Sequence, residues 1–128
     1  LNVVDSPWGK VAMLICADLF PETRALGEAL GRMGAKLILS PSAWAVPGDH
    51  DNRSEPYGSL WQGAYRSLSM EFGMSIVGVS NVGAVEGGPW SGYECIGCSL
   101  AMGPEGEELF MAPYGVDAAG LYIVQCPV

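Results

Sequence analysis

Apolar residues fall in short blocks along the chain, and the blocks alternate between strand-like runs and helix-like stripes. Leu1 to Asp5 reads as a short strand and Ser6 to Gly9 as a turn. Lys10 to Ile15, with its compact apolar run from Val11, reads as a fully buried strand. From Pro21 to Met33 the spacing becomes helical. Ala25, Leu26, Ala29, Leu30 and Met33 form a core face, and Arg24, Glu28 and Arg32 form a salt-bridged solvent face. Pro21 and Glu22 suit a helix start, and Gly34 suits a C-cap. Lys36 to Ser40 predicts a second buried strand ended by Pro41.

Ser42 to Pro56 predicts a loop, with Pro47-Gly48-Asp49, Asp51-Asn52 and Pro56 as its turn chemistry. Tyr57 to Phe72 predicts a second helix, whose stripe of Leu60, Trp61, Ala64, Tyr65, Leu68 and Phe72 reads as packing; Gly73 stops it. Ser75 to Ser80 predicts a third strand, followed by a Gly-rich loop from Val82 to Tyr93. In that loop Trp90 and Tyr93 either cover a pocket or anchor the loop. Ile96 to Met102 and Glu107 to Ala112 predict a β-hairpin around Gly103-Pro104-Glu105-Gly106. After a loop from Pro113 to Gly120, Leu121 to Gln125 predicts a last strand. Strand, helix, strand, helix, strand is an α/β pattern with parallel neighbours joined by crossovers.

The chain has 128 residues, 49% hydrophobic and 16% charged, which suits one domain with a core and not a disordered segment. A net charge of −8 argues against a nucleic-acid or anionic-membrane surface. The acids are scattered, as on a solubilising surface. No apolar stretch reaches membrane-spanning length and no signal-peptide pattern is present, so a cytoplasmic location is expected. The Gly-rich loop lacks phosphate-loop spacing, which rejects nucleotide binding. Four cysteines occur: Cys16, Cys95, Cys98 and Cys126. Cys95-Ile96-Gly97-Cys98 is a CxxC without a second ligand pair; His50 lies in a polar loop and reads as solvated, and Cys126 lies in a strand pattern. Cys98 to Met102 reads as a strand and not as the helix a thioredoxin-like site needs. No metal and no cofactor are expected.

Cys16 ends the first buried strand, just before the helix opened by Pro21. In an open α/β sheet ligands bind at the carboxyl ends of the strands. Two readings compete: a small apolar residue in a packed strand end, or a nucleophile on a sharp turn with the backbone N–H of Ala17 facing a developing oxyanion. Asp18 would hold the turn by side-chain to backbone bonds. Glu22 with Arg24 would fix the helix start and form an ion pair. Ser42, Ala43 and Trp44 leave the second strand on the same sheet edge as Cys16, where they could line a pocket; Trp44 is equally a core aromatic.

Gly9-Lys10-Val11, Leu14-Ile15-Cys16-Ala17-Asp18, Pro21-Glu22 and Arg24 together resemble the nucleophile motif of the nitrilase superfamily, the carbon–nitrogen hydrolases. The resemblance continues in Gly34 to Trp44, in Val77-Gly78-Val79-Ser80-Asn81-Val82-Gly83, in Gly97-Cys98-Ser99 and in Pro104-Glu105-Gly106-Glu107, in the family's order. It implies the downstream half of an α-β-β-α sandwich, so that residues 1–128 would be one partial domain whose upstream half is missing and whose apolar faces are left bare. It implies Cys16 as nucleophile and Ala17 as oxyanion donor. It gives Asn81 a place at the pocket rim, although Asn at a strand exit is also a turn former. The family's Glu and Lys lie far upstream of the Cys. Here only Asp5 and Lys10 precede Cys16 among Asp, Glu and Lys; Lys10 and Lys36 each begin a strand and read as structural. The implied chemistry is cleavage of a small amide, nitrile, carbamoyl or ureido substrate through a thioester or thioimidate, in a homodimer or higher homo-oligomer. Two alternatives stay open: a catalytically incompetent nitrilase-like binding or assembly module, and a reactive-thiol redox protein using Cys16 or the CxxC pair.

Overall fold

Ser6 starts the architecture by closing the first turn. Its Oγ donates to the Gly9 carbonyl at 2.6 Å and accepts from the Trp8 N–H at 3.1 Å, while Gly9 takes the left-handed φ of +102° that the turn requires. The computed structural model describes residues 1–128. In chain order the strands are β1 (Val3–Ser6), β2 (Gly9–Met13), β3 (Leu37–Ser42), β4 (Ala45–Pro47), β5 (Ser75–Ser80), β6 (Val82–Ala84), β7 (Tyr93–Ile96), β8 (Leu100–Met102) and β9 (Glu108–Met111). The helices are α1 (Arg24–Arg32) and α2 (Gly58–Phe72). Six strands form a sheet in the order β1-β2-β3-β5-β8-β9, and three form a small sheet, β4-β7-β6. Within the large sheet β2, β3 and β5 are parallel, and the α1 and α2 crossovers connect them. The β8–β9 pair is the expected hairpin.

Both helices cover the same face. Leu30 of α1 and Trp61, Tyr65 and Leu68 of α2 pack on Ala12, Ile38, Ile76, Leu100 and Met102 of the strands. The other face is open. Met13 and Ile15 are each 61% exposed, and Leu39 and Val79 are exposed beside them. The stretch made of β2 and its continuation to Ile15 is therefore buried on one face and not on both: its apolar run fills two faces, and the chain's helices cover only one. Across the open face lies the C-terminal stretch. Tyr122 packs on Phe110 with ring centroids 4.8 Å apart, and Ser75 Oγ donates to the Pro127 carbonyl. Beneath it is a cavity of ≈ 840 Å³, lined by residues that include Leu39, Val77, Phe110, Tyr122 and Val124.

Several elements differ from expectation. A 3₁₀ turn, Pro21–Thr23, precedes α1. The buried positions of α1 are Gly27 and Leu30, whereas Ala25 and Met33 are exposed. The reason is a close helix–helix approach: a Cβ at Gly27 would stand 2.7 Å from Leu68 Cδ1, and one at Gly31 2.4 Å from the Phe72 ring. Gly31→Ala is therefore expected to destabilise the fold. Ala improves helix propensity by about 1 kcal/mol, but overpacking costs about 1–3 kcal/mol, and a lowered urea midpoint would show which term prevails.

Pro41 does not end β3. It pairs with Val79, and the strand runs to Ser42, whose carbonyl accepts the Asn81 N–H at 3.3 Å. The predicted loops from Ser42 and from Val82 contain β4, β6 and a 3₁₀ turn at Gly88–Trp90. The single strand expected over Ile96 to Met102 is broken by Gly97 and Cys98, at φ +69° and +57°, where the chain passes from the small sheet to the large one. Leu121 to Gln125 is not a strand and makes no backbone ladder; Leu121 and Ile123 are 94% and 95% exposed. No helix is long and apolar enough to cross a membrane.

Candidate active site

The β2–β3 ladder closes with the Leu14 N–H bonded to the Leu39 carbonyl at 3.2 Å. Ile15 is still extended, at φ −106°. Cys16 then turns to φ +45°, one of only two non-glycine residues at positive φ, and opens a 3₁₀ turn, Cys16–Leu19. An L-residue there carries on the order of 1–2 kcal/mol of strain, which persists only if neighbours hold it. Asp18 does so: its N–H donates to the Ile15 carbonyl at 2.9 Å, and its Oδ2 accepts the Ile15 N–H at 2.9 Å. Both polar groups of Ile15 are thereby tied to one residue. The Ala17 carbonyl accepts from Thr23 Oγ1 at 2.6 Å and from the Phe20 N–H at 3.1 Å. The Ala17 N–H has no acceptor within the chain, and the residue is exposed.

The parallel register brings the ends of β2, β3 and β5 together, with Met13 opposite Leu39 and Ser42 opposite Ser80. Cys16, Ser42 and Asn81 therefore stand at adjacent strand ends. Ser42 is half-buried, and its Oγ donates weakly to the Ser40 carbonyl at 3.3 Å. Ala43 is exposed. Trp44 is a core aromatic, 1% exposed. It stacks on Trp61 at 4.6 Å, Trp61 stacks on Phe20 at 4.8 Å, and the Trp44 backbone N–H donates to Ser80 Oγ at 2.9 Å. Asn81 is exposed; it lines the cavity of the open face, and its carbonyl accepts the Gly97 N–H at 3.2 Å. Cys16 does not line that cavity.

Glu22 is exposed and does not pair with Arg24. Arg24 instead pairs with Glu28 at 2.9 Å and with Glu71, and donates to Ser67 Oγ at 2.8 Å. The guanidinium ties α1 to α2 because two carboxylates and a hydroxyl converge on it, and one local acid cannot compete. Arg32 lies over the Phe72 ring, 5.9 Å from its centroid. Both lysines stand at the far end of the sheet, where the Lys36 N–H donates to the Lys10 carbonyl at 2.7 Å. Trp90 and Tyr93 anchor each other edge to face at 5.1 Å.

Two phenols, Tyr57 just before α2 and Tyr65 within it, are shifted by their surroundings, and neither is singled out by sequence. Burial pushes the Tyr57 phenol up, an interaction with the Trp61 side chain opposes this, and the charge of Cys16 adds to the rise. Burial pushes Tyr65 well up, Ser40 opposes it, and Cys16 again adds. Tyr65 falls on the apolar stripe of α2, so its spacing cannot distinguish it from packing residues. Cys95 and Cys98 are buried free thiols, and burial pushes Cys98 up; it does the same to Cys126. His50 is half-buried with Nε2 unpartnered, not solvated as expected. No three His, Cys, Asp or Glu side chains are grouped to hold a metal ion.

Sequence comparison finds no matching family model and no matching curated protein. Solved structures do match. A carbon–nitrogen hydrolase from Helicobacter pylori G27 is 21% identical, over 87% of this chain and 39% of that one, with a TM-score of 0.74. Saccharomyces cerevisiae Nit3, a member of branch 10 of the nitrilase superfamily, is 23% identical over 89% of this chain and 37% of its own, with a TM-score of 0.66. A mutant of the Nesterenkonia AN1 amidase, also of the nitrilase superfamily, is 25% identical over 89% and 38%, with a TM-score of 0.64. In another structure of that amidase the acetamide moiety of fluoroacetamide is bound covalently to its active-site cysteine. The fold of this chain is the α/β fold of the nitrilase superfamily, the carbon–nitrogen hydrolases. The chain spans 37% to 39% of the length of these three structures.

Proposed function

We propose that this chain is the nucleophile-bearing part of a hydrolase that cleaves non-peptide carbon–nitrogen bonds in a small amide, nitrile, or carbamoyl or ureido substrate. The observation that carries the reading is Cys16 itself: a non-glycine residue at φ +45°, at the carboxyl end of a parallel strand, followed by an Ala17 N–H with no partner. In an amide substrate the Cys16 thiolate attacks the carbonyl carbon, a C–S bond forms, and the oxygen takes the negative charge beside the Ala17 N–H. Collapse breaks the C–N bond, and the amine leaves with a proton from a general acid. Water then attacks the thioester, giving the carboxylic acid and restoring the thiol.

The base, a Glu, and a charge-stabilising Lys are residues outside this chain. This is supported by the partial span of the match and by the distance of Lys10 and Lys36 from Cys16. Residues 1–128 are then the downstream part of a longer domain, and its remaining sheet covers the open face. A cytoplasmic homodimer or higher homo-oligomer completes the proposal.

The test is ammonia release by the full gene product from a panel of short aliphatic amides, nitriles and N-carbamoyl compounds. Release from at least one class, abolished by prior alkylation of Cys16, is expected. No release from any class would overturn the hydrolase reading in favour of a binding or assembly module.

A further inference from the structure

Thr23 stands directly before α1, in the N-cap place, yet its side chain makes no bond to the first turn of that helix. A threonine there ordinarily accepts an N–H of the first turn and satisfies one of its free donors. Here the hydroxyl is turned the other way. Thr23 Oγ1 donates to the Ala17 carbonyl at 2.6 Å, with the Phe20 carbonyl 3.1 Å away. The Thr23 N–H donates to the Phe20 carbonyl at 3.0 Å, which fixes the residue against the Cys16 turn. The Ala17 carbonyl also accepts the Phe20 N–H at 3.1 Å, and the Asp18 N–H of the same peptide group donates to the Ile15 carbonyl at 2.9 Å. The peptide group that joins Ala17 to Asp18 is thus held at both polar ends. The group before it joins Cys16 to Ala17 and carries the Ala17 N–H, which has no acceptor in the chain. The two rigid planes meet at the Ala17 Cα, so holding one restricts how the other can turn. On its far side lies Cys16 at φ +45°, a conformation that persists only if its neighbours hold it.

We infer that Thr23 is a positioning residue that aims the Ala17 N–H at the oxyanion formed when Cys16 attacks. The inference rests on Cys16 being the nucleophile and on the Ala17 N–H being the oxyanion donor. Such a donor acts only if it points where charge develops, and it is most effective when it needs no reorganisation during the reaction. Attack on the substrate and hydrolysis of the thioester both build that charge, so the aim of the N–H governs kcat whichever step is slow. Asp18 holds the strand side of the turn and Thr23 the helix side. Because the Thr23 bond runs through a side chain, it can be removed without removing a backbone donor or acceptor.

The experiment is Thr23→Val in the full gene product, which keeps the β-branched shape and removes the hydroxyl, beside Thr23→Ser, which keeps a hydroxyl. The quantities read are kcat and KM for a substrate that the parent cleaves, the rate of Cys16 alkylation by iodoacetamide, and circular dichroism. Alkylation by displacement builds no oxyanion, so it reports the thiol and not the aim of the N–H. Losing an oxyanion donor outright lowers kcat by about 10²–10³; misaiming it in Thr23→Val is expected to lower kcat on the order of tenfold. KM and alkylation stay at the parent values, and Thr23→Ser recovers most of kcat. A folded Thr23→Val with the kcat of the parent overturns this role and leaves the hydrolase reading standing. So does a variant that loses turnover and alkylation together, or a Thr23→Val and a Thr23→Ala that both fail to fold, since each makes Thr23 a residue of the fold alone. A parent that releases no ammonia from any substrate class overturns both.

Discussion

On the proposed hydrolase reading, Cys16→Ser in the full gene product is expected to lower turnover on the order of 10³-fold or more while leaving the protein folded. The two side chains are nearly isosteric, and Cys16 is only half-buried, so the expected change in stability is within about 1 kcal/mol. Ser can occupy the turn, because the bonds that hold it run through Asp18 and the Ile15 backbone and not through sulfur. On the proposed hydrolase reading, what the variant loses is the nucleophile, because a serine hydroxyl at neutral pH is far less ionised than a thiol. Steady-state rates beside a melting curve separate the two effects. Loss of rate together with loss of fold would instead mark Cys16 as a packing residue.

Trp61→Ala is the variant expected to cost the most stability, about 3–5 kcal/mol. Trp61 is fully buried on the inward face of α2, between the rings of Phe20 and Trp44 and edge-on to Tyr65. Removing it leaves a cavity between the helix and the sheet that these rigid neighbours cannot refill. Whole domains are stable by only about 5–15 kcal/mol, so the variant is expected to be marginal. A guanidinium or urea titration with unchanged slope and a much lower midpoint is the expected observation. Phe20 belongs to the segment that follows the Cys16 turn, so loosening the stack also loosens the site, and Trp61→Ala should lose activity before it is half unfolded. Trp61→Phe, which keeps one ring in the stack, should recover most of both.

How far the sequence leads is clear from particular elements. The three parallel strands, both helices and the closing hairpin are carried by apolar spacing that local physics enforces, and the position of Cys16 follows from where β2 must stop. What covers each face is not carried in the same way. Val11 to Ile15 is apolar on both sides, and only the arrangement of α1 and α2 decides that Ala12 and Leu14 are buried while Met13 and Ile15 are open. Ile96 to Met102 has a continuous strand pattern, but two left-handed residues, Gly97 and Cys98, move the chain between sheets. Leu121 to Gln125 has real strand alternation and no partner ladder to join. The expected Glu22–Arg24 pair fails for a related reason: Glu71 and Ser67 lie far along the chain but next to Arg24 once the helices pack. Tyr65 is hidden most completely, since a buried hydroxyl without a partner on the inward stripe of a helix has the spacing of any core residue.

The most direct test of the account is the pH dependence of iodoacetamide labelling, mapped to individual cysteines in the full gene product. Fast labelling of Cys16 near neutral pH, with Cys98 and Cys126 slow because burial pushes their thiols up, is the predicted result. A Cys16 that stays inert near neutral pH while Cys95 or Cys98 reacts would contradict the nucleophile assignment and the hydrolase reading built on it.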